Sequence, residues 1–121
     1  MASKTILVVD DSPTEMRLMT SSLNGQGFRI ITATDGEEAL EKAASEHPDL
    51  VLLDVILPKK NGFQVCRQLR TAPETKDIKI ILVTSKRQDT DRFWGLKQGA
   101  DEYLTKPFEN EDLLAAVARH T

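Results

Sequence analysis

The sequence predicts an α/β fold, a three-layer (βα)5 sandwich in which helices cover both faces of a parallel five-stranded sheet. Short apolar runs alternate along the chain with longer amphipathic segments, which is the pattern of repeated βα units. The apolar runs show little polar alternation, which is typical of strands that are buried on both faces. Right-handed crossovers leave few topologies for such a chain, and the commonest strand order is 2-1-3-4-5.

The first βα unit has clear boundaries. Residues 5–9 are continuously apolar and predict the first strand. Ser12, Pro13 and Glu15 follow at the positions of a helix N-cap, first residue and third residue, which predicts a capping box. Gly25 then ends the first helix.

The later units repeat this alternation. Asp35-Gly36 starts the second helix and His47-Pro48 ends it, and a third helix follows the turn at Asn61-Gly62. Further strands are predicted near residues 29–33, 50–53, 79–83 and 101–105, a fourth helix runs through Phe93 and Trp94 to Gly99, and Asn110 caps the last helix. This is the flavodoxin-like arrangement, whose topological switch point lies between strands 1 and 3.

Size and composition limit the function. A chain of 121 residues favours one domain, over residues 1–121, with no room for an output domain after the last helix. The net charge of −3 argues against nonspecific nucleic-acid binding. No apolar run is long enough for a membrane span or a signal peptide, so we expect a cytoplasmic protein. The single cysteine, Cys66, excludes an internal disulfide and cysteine-based zinc sites.

Three apolar runs end abruptly in charged residues. Asp10 and Asp11 follow the first strand, Asp54 follows the third, and Lys106 follows the fifth. Because ligands of open α/β sheets bind at the carboxyl ends of strands, we expect these side chains to share a pocket. Three carboxylates suit Mg²⁺, and a lysine can meet a phosphoryl oxygen. The pattern predicts an aspartate nucleophile that forms an aspartyl phosphate.

Simpler explanations exist for individual residues of this set. Asp10 and Asp11 would favour a helix N-terminus, but Ser12 already fills the cap. Thr84, at the end of the fourth strand, is either a phosphoryl hydrogen-bond donor or an ordinary strand-end threonine. The Lys106-Pro107 bond is a candidate for the cis form, which would turn the lysine stem across the strand ends.

With these residues in order, the chain resembles the receiver domain of two-component response regulators, the CheY-like family. The resemblance runs from Lys4 to about Arg119. Its markers, all at the family's spacing, are Asp10-Asp11, Asp54, Pro58, Gly62, Thr84 and Lys106-Pro107.

The resemblance implies a role for each site residue. Asp54 would accept a phosphoryl group from a phosphohistidine of a CheA-like histidine kinase. Asp11, Asp54 and the backbone carbonyl of Ile56 would hold Mg²⁺, and Asp10 would assist through a water molecule. Thr84 and Lys106 would contact the phosphoryl group. The chain would be a phosphoacceptor switch and not an enzyme, beyond catalysing its own phosphorylation and dephosphorylation.

The resemblance also implies how a signal leaves the molecule. Tyr103 matches an aromatic switch that turns inward as Thr84 moves, whereas without the family it would be interpreted as a half-exposed strand aromatic. The face built from helix 4, strand 5 and helix 5 would dock a downstream protein. The chain would be a monomer or weak dimer, with no nucleic-acid or membrane partner.

Two segments, at 11–16 and 90–100, are similar to PilH-type single-domain regulators of type IV pilus twitching motility and phototaxis. Trp94 belongs to that pattern, and its alternative is a helix aromatic packed on the sheet edge.

Other functions fit the sequence less well. An aspartate-nucleophile phosphatase of the haloacid-dehalogenase kind needs an acid where Ile56 stands. A flavodoxin-like cofactor binder needs a phosphate loop where Asp10 and Asp11 stand. A phosphate-independent interaction module would not need the full acidic set. A CheY-like regulator of a flagellar motor remains an alternative within the family.

Overall fold

The sheet has five parallel strands in a computed structural model that describes residues 3–121. The strands are β1 (Thr5–Val9), β2 (Arg29–Ala33), β3 (Leu50–Leu53), β4 (Lys79–Thr84) and β5 (Glu102–Thr105). The helices are α1 (Pro13–Leu23), α2 (Gly36–Glu46), α3 (Gly62–Thr71), α4 (Asp89–Lys97) and α5 (Asn110–Arg119). The strand order is β2-β1-β3-β4-β5, so the predicted fold class and topology are confirmed.

Helices cover both faces because alternate strand residues point to opposite sides of the sheet. Leu7 and Val9 belong to a core that includes Ala39 and Ala43 of α2 and Val65 of α3. The opposite core is formed by Ile6 and Val8 of β1 with residues of α1 and α5, namely Met19, Leu23, Leu113, Ala116 and Val117. The described part of the chain, residues 3–121, contains no helix that could span a membrane.

The register of the two central strands decides where their acidic residues lie. Val9 of β1 is paired with Leu53 of β3. The ladder continues by one hydrogen bond, because the Asp54 N–H donates to the Val9 carbonyl at 3.1 Å. Asp10 and Asp54 therefore leave the sheet side by side at its carboxyl edge.

The start of α1 differs from the predicted capping box. Ser12 is the N-cap and accepts a hydrogen bond from the Glu15 N–H at 3.3 Å, with Pro13 at the first position. The second hydrogen bond of the predicted box, from the Ser12 N–H to the Glu15 side chain, does not form. The Ser12 N–H donates to Asp10 Oδ1 at 2.9 Å instead. The Glu15 carboxylate instead lies 3.7 Å from the Lys106 ammonium.

The cap of α5 was also predicted one residue too late. Asn110 is the first residue of the helix, and Glu109 is the N-cap. The Glu109 N–H donates to the Asp112 carboxylate at 3.1 Å, which is the hydrogen bond from the N-cap backbone to the third helical residue in a capping box.

Helix α4 contacts the sheet through its glycine. A Cβ atom on Gly95 would come within 2.8 Å of Leu82 and Tyr103 side-chain atoms, so only glycine permits this approach. Trp94 is 55% exposed, and the interpretation of its ring as packed on the sheet edge is therefore wrong. The helix turns large apolar side chains to solvent, namely Phe93, Trp94 and Leu96.

Candidate functional site

Three carboxylates converge at the carboxyl edge of the sheet. Oxygens of Asp10, Asp11 and Asp54 all lie within 4.8 Å of one another. Asp10 is only 1% exposed and Asp54 only 7%, whereas Asp11 faces solvent. Buried carboxylates need compensating charge or hydrogen bonds, because desolvation strongly disfavours the anion.

Lys106 supplies that compensation. Its Nζ atom donates to Asp10 Oδ2 at 2.7 Å and to Asp54 Oδ2 at 3.2 Å. Burial on its own would lower the pKa of Lys106, but the hydrogen bond to Asp10 and the nearby charges of Asp54 and Asp10 raise it above its usual value. The ammonium is therefore charged at neutral pH. The Lys106-Pro107 peptide bond is cis, the form that the sequence made a candidate.

The loop after β3 fixes the position of Asp54. Asp54 Oδ1 accepts a hydrogen bond from the Ile56 N–H at 3.2 Å. The Gly62 N–H donates to the Val55 carbonyl at 2.9 Å, which folds the loop back on the strand end. A Cβ on Gly62 would lie 2.2 Å from the Asp54 carbonyl oxygen, so a side chain there would displace the Asp54 backbone. Pro58 accepts a hydrogen bond from the Gly36 N–H at 3.3 Å, which anchors the same loop to α2.

The acidic cluster opens into a cavity of about 660 Å³. Its lining is Asp10, Asp11, Ser12, Glu15, Leu18, Ser22, Asp54, Ile56, Ser85, Arg87, Lys106, Pro107, Phe108 and Asn110. Hard carboxylate oxygens beside such a space are a donor set that fits Mg²⁺ and leaves room for waters and a phosphoryl group. The assignment of the Ile56 carbonyl as a ligand, and of Asp10 as a water-mediated one, stays a prediction.

Thr84, at the end of β4, lies outside the lining of the cavity, and its contact with a phosphoryl group stays a prediction. Thr84 is fully buried, and its Oγ1 atom accepts from the Lys86 N–H at 3.4 Å. Ser85, which follows Thr84, lines the cavity. The cap of α4 is Gln88. Arg87 also lines the cavity and donates to the Lys106 carbonyl at 2.6 Å, and no sequence pattern pointed to it.

Tyr103 is turned inward. It is 4% exposed, and its hydroxyl donates to the Lys86 carbonyl at 2.7 Å, so the half-exposed interpretation is wrong. The Arg92 guanidinium lies over its ring at 5.3 Å. The Lys86 N–H donates to Thr84 and the Lys86 carbonyl accepts from Tyr103, so one residue of the β4–α4 loop connects Thr84 with Tyr103.

The burial of Tyr103 has a consequence that can be measured on the whole protein, because the chain has a single tyrosine. Burial, together with the negative charge of Asp91, raises the pKa of Tyr103 from 10.0 to about 12. In a spectrophotometric titration we expect little tyrosinate absorbance from the folded protein at pH 10.0, where the chain unfolded in guanidinium is half ionised. Half ionisation of the folded protein at that pH would show that the ring lies outside.

Known proteins resemble this chain in sequence and structure. The family model described as "Response regulator receiver domain" matches residues 6–118. Protein PilH of Pseudomonas aeruginosa is 47% identical over 93% of this chain and 93% of its own length. For several other curated relatives the chain spans about half of their length or less, for example 47% of one and 25% of another.

Solved structures with the same fold include a chemotaxis protein and the receiver domain of a histidine kinase. Chemotaxis protein CheY4 of Vibrio cholerae is 32% identical, with a TM-score of 0.92 over 99% of this chain and 100% of that chain. The receiver domain of a sensor histidine kinase from Pseudomonas aeruginosa is 29% identical, with a TM-score of 0.90 over 98% of each chain. That receiver domain has a magnesium ion coordinated in its active-site cleft.

Proposed function

This chain belongs to the response regulator receiver domain family, and we propose that it is a stand-alone phosphorylation switch whose phosphoacceptor is Asp54. The observation that carries the proposal is the position of the Asp54 carboxylate at a cavity, within hydrogen-bond distance of the Lys106 ammonium and within 4.8 Å of the carboxylates of Asp10 and Asp11. The match to PilH over 93% of both lengths supports a single receiver domain over residues 1–121.

The proposed reaction is phosphoryl transfer from a histidine kinase. A carboxylate oxygen of Asp54 bonds to phosphorus while the bond from phosphorus to the donor imidazole nitrogen breaks, and that nitrogen keeps the electron pair. Magnesium, held by Asp10, Asp11, Asp54 and the Ile56 carbonyl, would neutralise phosphoryl charge. Lys106 moves from the free carboxylate to a phosphoryl oxygen, and Thr84 becomes a donor to another. The chain catalyses only the phosphorylation and dephosphorylation of its own Asp54.

We propose that the output surface is formed by α4, β5 and α5. It is supported by three large apolar side chains that are exposed within one short segment of α4, those of Phe93, Trp94 and Leu96. Exposed apolar groups that lie together are typical of protein interaction sites, whereas single exposed apolar residues need no explanation. Through Lys86, the β4–α4 loop connects this surface with Thr84 and Tyr103. The occupant is a downstream protein, with control of type IV pilus motility favoured by the identity to PilH over a flagellar-motor role. The kinase is CheA-like, and the switch is a monomer or weak dimer.

Incubation with Mg²⁺ and acetyl phosphate tests the proposed function. A gain of one phosphoryl group in the intact mass supports it, and the fluorescence of Trp94, the single tryptophan, reports any change at α4. Beryllofluoride, which mimics the phosphoryl group without a covalent bond, should give the same fluorescence change. No response in either signal would exclude the switch.

Dephosphorylation of the purified protein should be slow to moderate in the absence of a partner phosphatase. Ile56 lines the cavity with an exposed apolar side chain, which has no group to position a hydrolytic water beside Asp54. We expect a half-life well above seconds in the purified protein. Ile56→Asn should shorten it severalfold and Ile56→Val should leave it unchanged, as measured from the decay of the phosphorylated mass. A half-life of seconds in the wild type would contradict this expectation.

A further inference from the structure

Glu15 is a carboxylate of the cavity that no motif of the site accounts for. It lies in the first turn of α1, and its Oε2 atom is 3.7 Å from Lys106 Nζ. Its side chain is 38% exposed, so it lies nearer to solvent than the side chains of Asp10 and Asp54. Because Asp10 has taken the Ser12 N–H, the side chain of Glu15 is not held at the helix cap and faces the cavity instead.

The cavity has an excess of negative charge to which Glu15 contributes. Its lining includes four carboxylates, on Asp10, Asp11, Asp54 and Glu15, and two cationic side chains, on Lys106 and Arg87. Lys106 is already engaged by Asp10 and Asp54 at hydrogen-bond distance, and its contact with Glu15 is longer. Most of the Glu15 charge is therefore left to act on whatever enters the cavity.

We infer that Glu15 determines phosphodonor specificity, because its carboxylate at the cavity entrance attracts Mg²⁺ and repels small phosphodonors of high negative charge. The inference rests on the proposed function and adds that the site discriminates between phosphodonors. A phosphoryl group on the histidine of a kinase is brought to the site by contacts between the two proteins. Repulsion by Glu15 therefore affects its transfer less than it affects the binding of a free anion. A free anion must reach the site against the potential of the cavity, and such potentials change association rates strongly.

Replacing Glu15 by glutamine removes the charge and keeps the shape. At saturating Mg²⁺ and low salt we expect Glu15→Gln to raise the second-order rate with acetyl phosphate by roughly three- to tenfold. The increase should be smaller with phosphoramidate, whose ammonium group offsets part of its phosphate charge, and should shrink with added salt. Glu15→Asp keeps the charge and is the matched control, with a rate close to that of the wild type.

Magnesium affinity gives a second readout that needs no phosphorylation. From the dependence of the thermal unfolding midpoint on Mg²⁺ concentration, we expect Glu15→Gln to bind Mg²⁺ roughly two- to fivefold more weakly. Equal Mg²⁺ affinities, or equal rates with acetyl phosphate, would overturn the inference. Equal acceleration with both donors at every salt concentration would also overturn it, since a charge effect must follow donor charge and ionic strength.

The outcomes for Glu15 are separable from those for the switch itself. If the wild type accepts no phosphoryl group from either donor and its Trp94 fluorescence does not respond to beryllofluoride, the proposed function fails and the Mg²⁺ affinities alone decide the role of Glu15. If the wild type is phosphorylated and Glu15→Gln behaves identically in both assays, the switch stands and the specificity role is wrong.

Discussion

Asparagine in place of Asp54 is expected to abolish phosphorylation by acetyl phosphate. The amide keeps the size of the carboxylate and can still accept from the Ile56 N–H through its oxygen, so the loop after β3 should be preserved. It has no anionic oxygen to attack phosphorus, and removal of a nucleophile typically lowers a rate by a thousandfold or more, on the order of the largest single-residue effects. The measurement is the intact mass after incubation with Mg²⁺ and acetyl phosphate.

A matched control separates loss of the nucleophile from loss of any carboxylate. Asp77 is exposed two residues before β4 begins, at the end of the sheet opposite the cavity, and Asp77→Asn should be phosphorylated like the wild type. The Trp94 fluorescence change with beryllofluoride should disappear in Asp54→Asn and remain in the control. Phosphorylation of Asp54→Asn at the wild-type rate would place the acceptor elsewhere, and Asp11 would then be examined first.

Strand patterns were enough to predict the acidic cluster, because parallel strands end at one edge and the order 2-1-3-4-5 makes β1 and β3 neighbours. Asp10 and Asp54 are adjacent for a backbone reason, the pairing of Val9 with Leu53. The position of Lys106 followed from the same rule at β5.

Local patterns failed where a distant or neighbouring group competed for the same hydrogen bond. The spacing of Ser12 and Glu15 predicts a capping box, but the Asp10 carboxylate reaches the Ser12 N–H first. The exposure of Trp94 could not be predicted from the sequence either. Helix α4 contacts the sheet through Gly95, which lies against the ring of Tyr103 on another element. Helix periodicity cannot identify a buried face when the contacting residue has no side chain.

Removing the Lys106 ammonium should produce the largest loss of stability among single substitutions at the site. In Lys106→Met the buried carboxylates of Asp10 and Asp54 lose their shared cation, and breaking a buried ion pair by deleting one partner costs about 3 kcal/mol or more. Urea unfolding with a chelator present should show this decrease. Because the pKa of Lys106 is raised above 10.5 in the folded protein, the stabilisation is complete at pH 7 and is lost only as pH rises through that higher value.

The same substitution distinguishes a charge effect from a packing effect. Saturating Mg²⁺ should restore part of the lost stability of Lys106→Met, because a bound cation compensates the same carboxylates, and Asp10→Asn in the Lys106→Met background should restore part of it without metal. Lys79→Met, at an exposed lysine where β4 begins, is the matched control and should change the free energy of unfolding by less than about 0.5 kcal/mol. If neither Mg²⁺ nor Asp10→Asn restores stability, the loss comes from the way the methionine side chain packs and not from the missing charge. The ammonium would then not be what holds Asp10 and Asp54 together before phosphorylation.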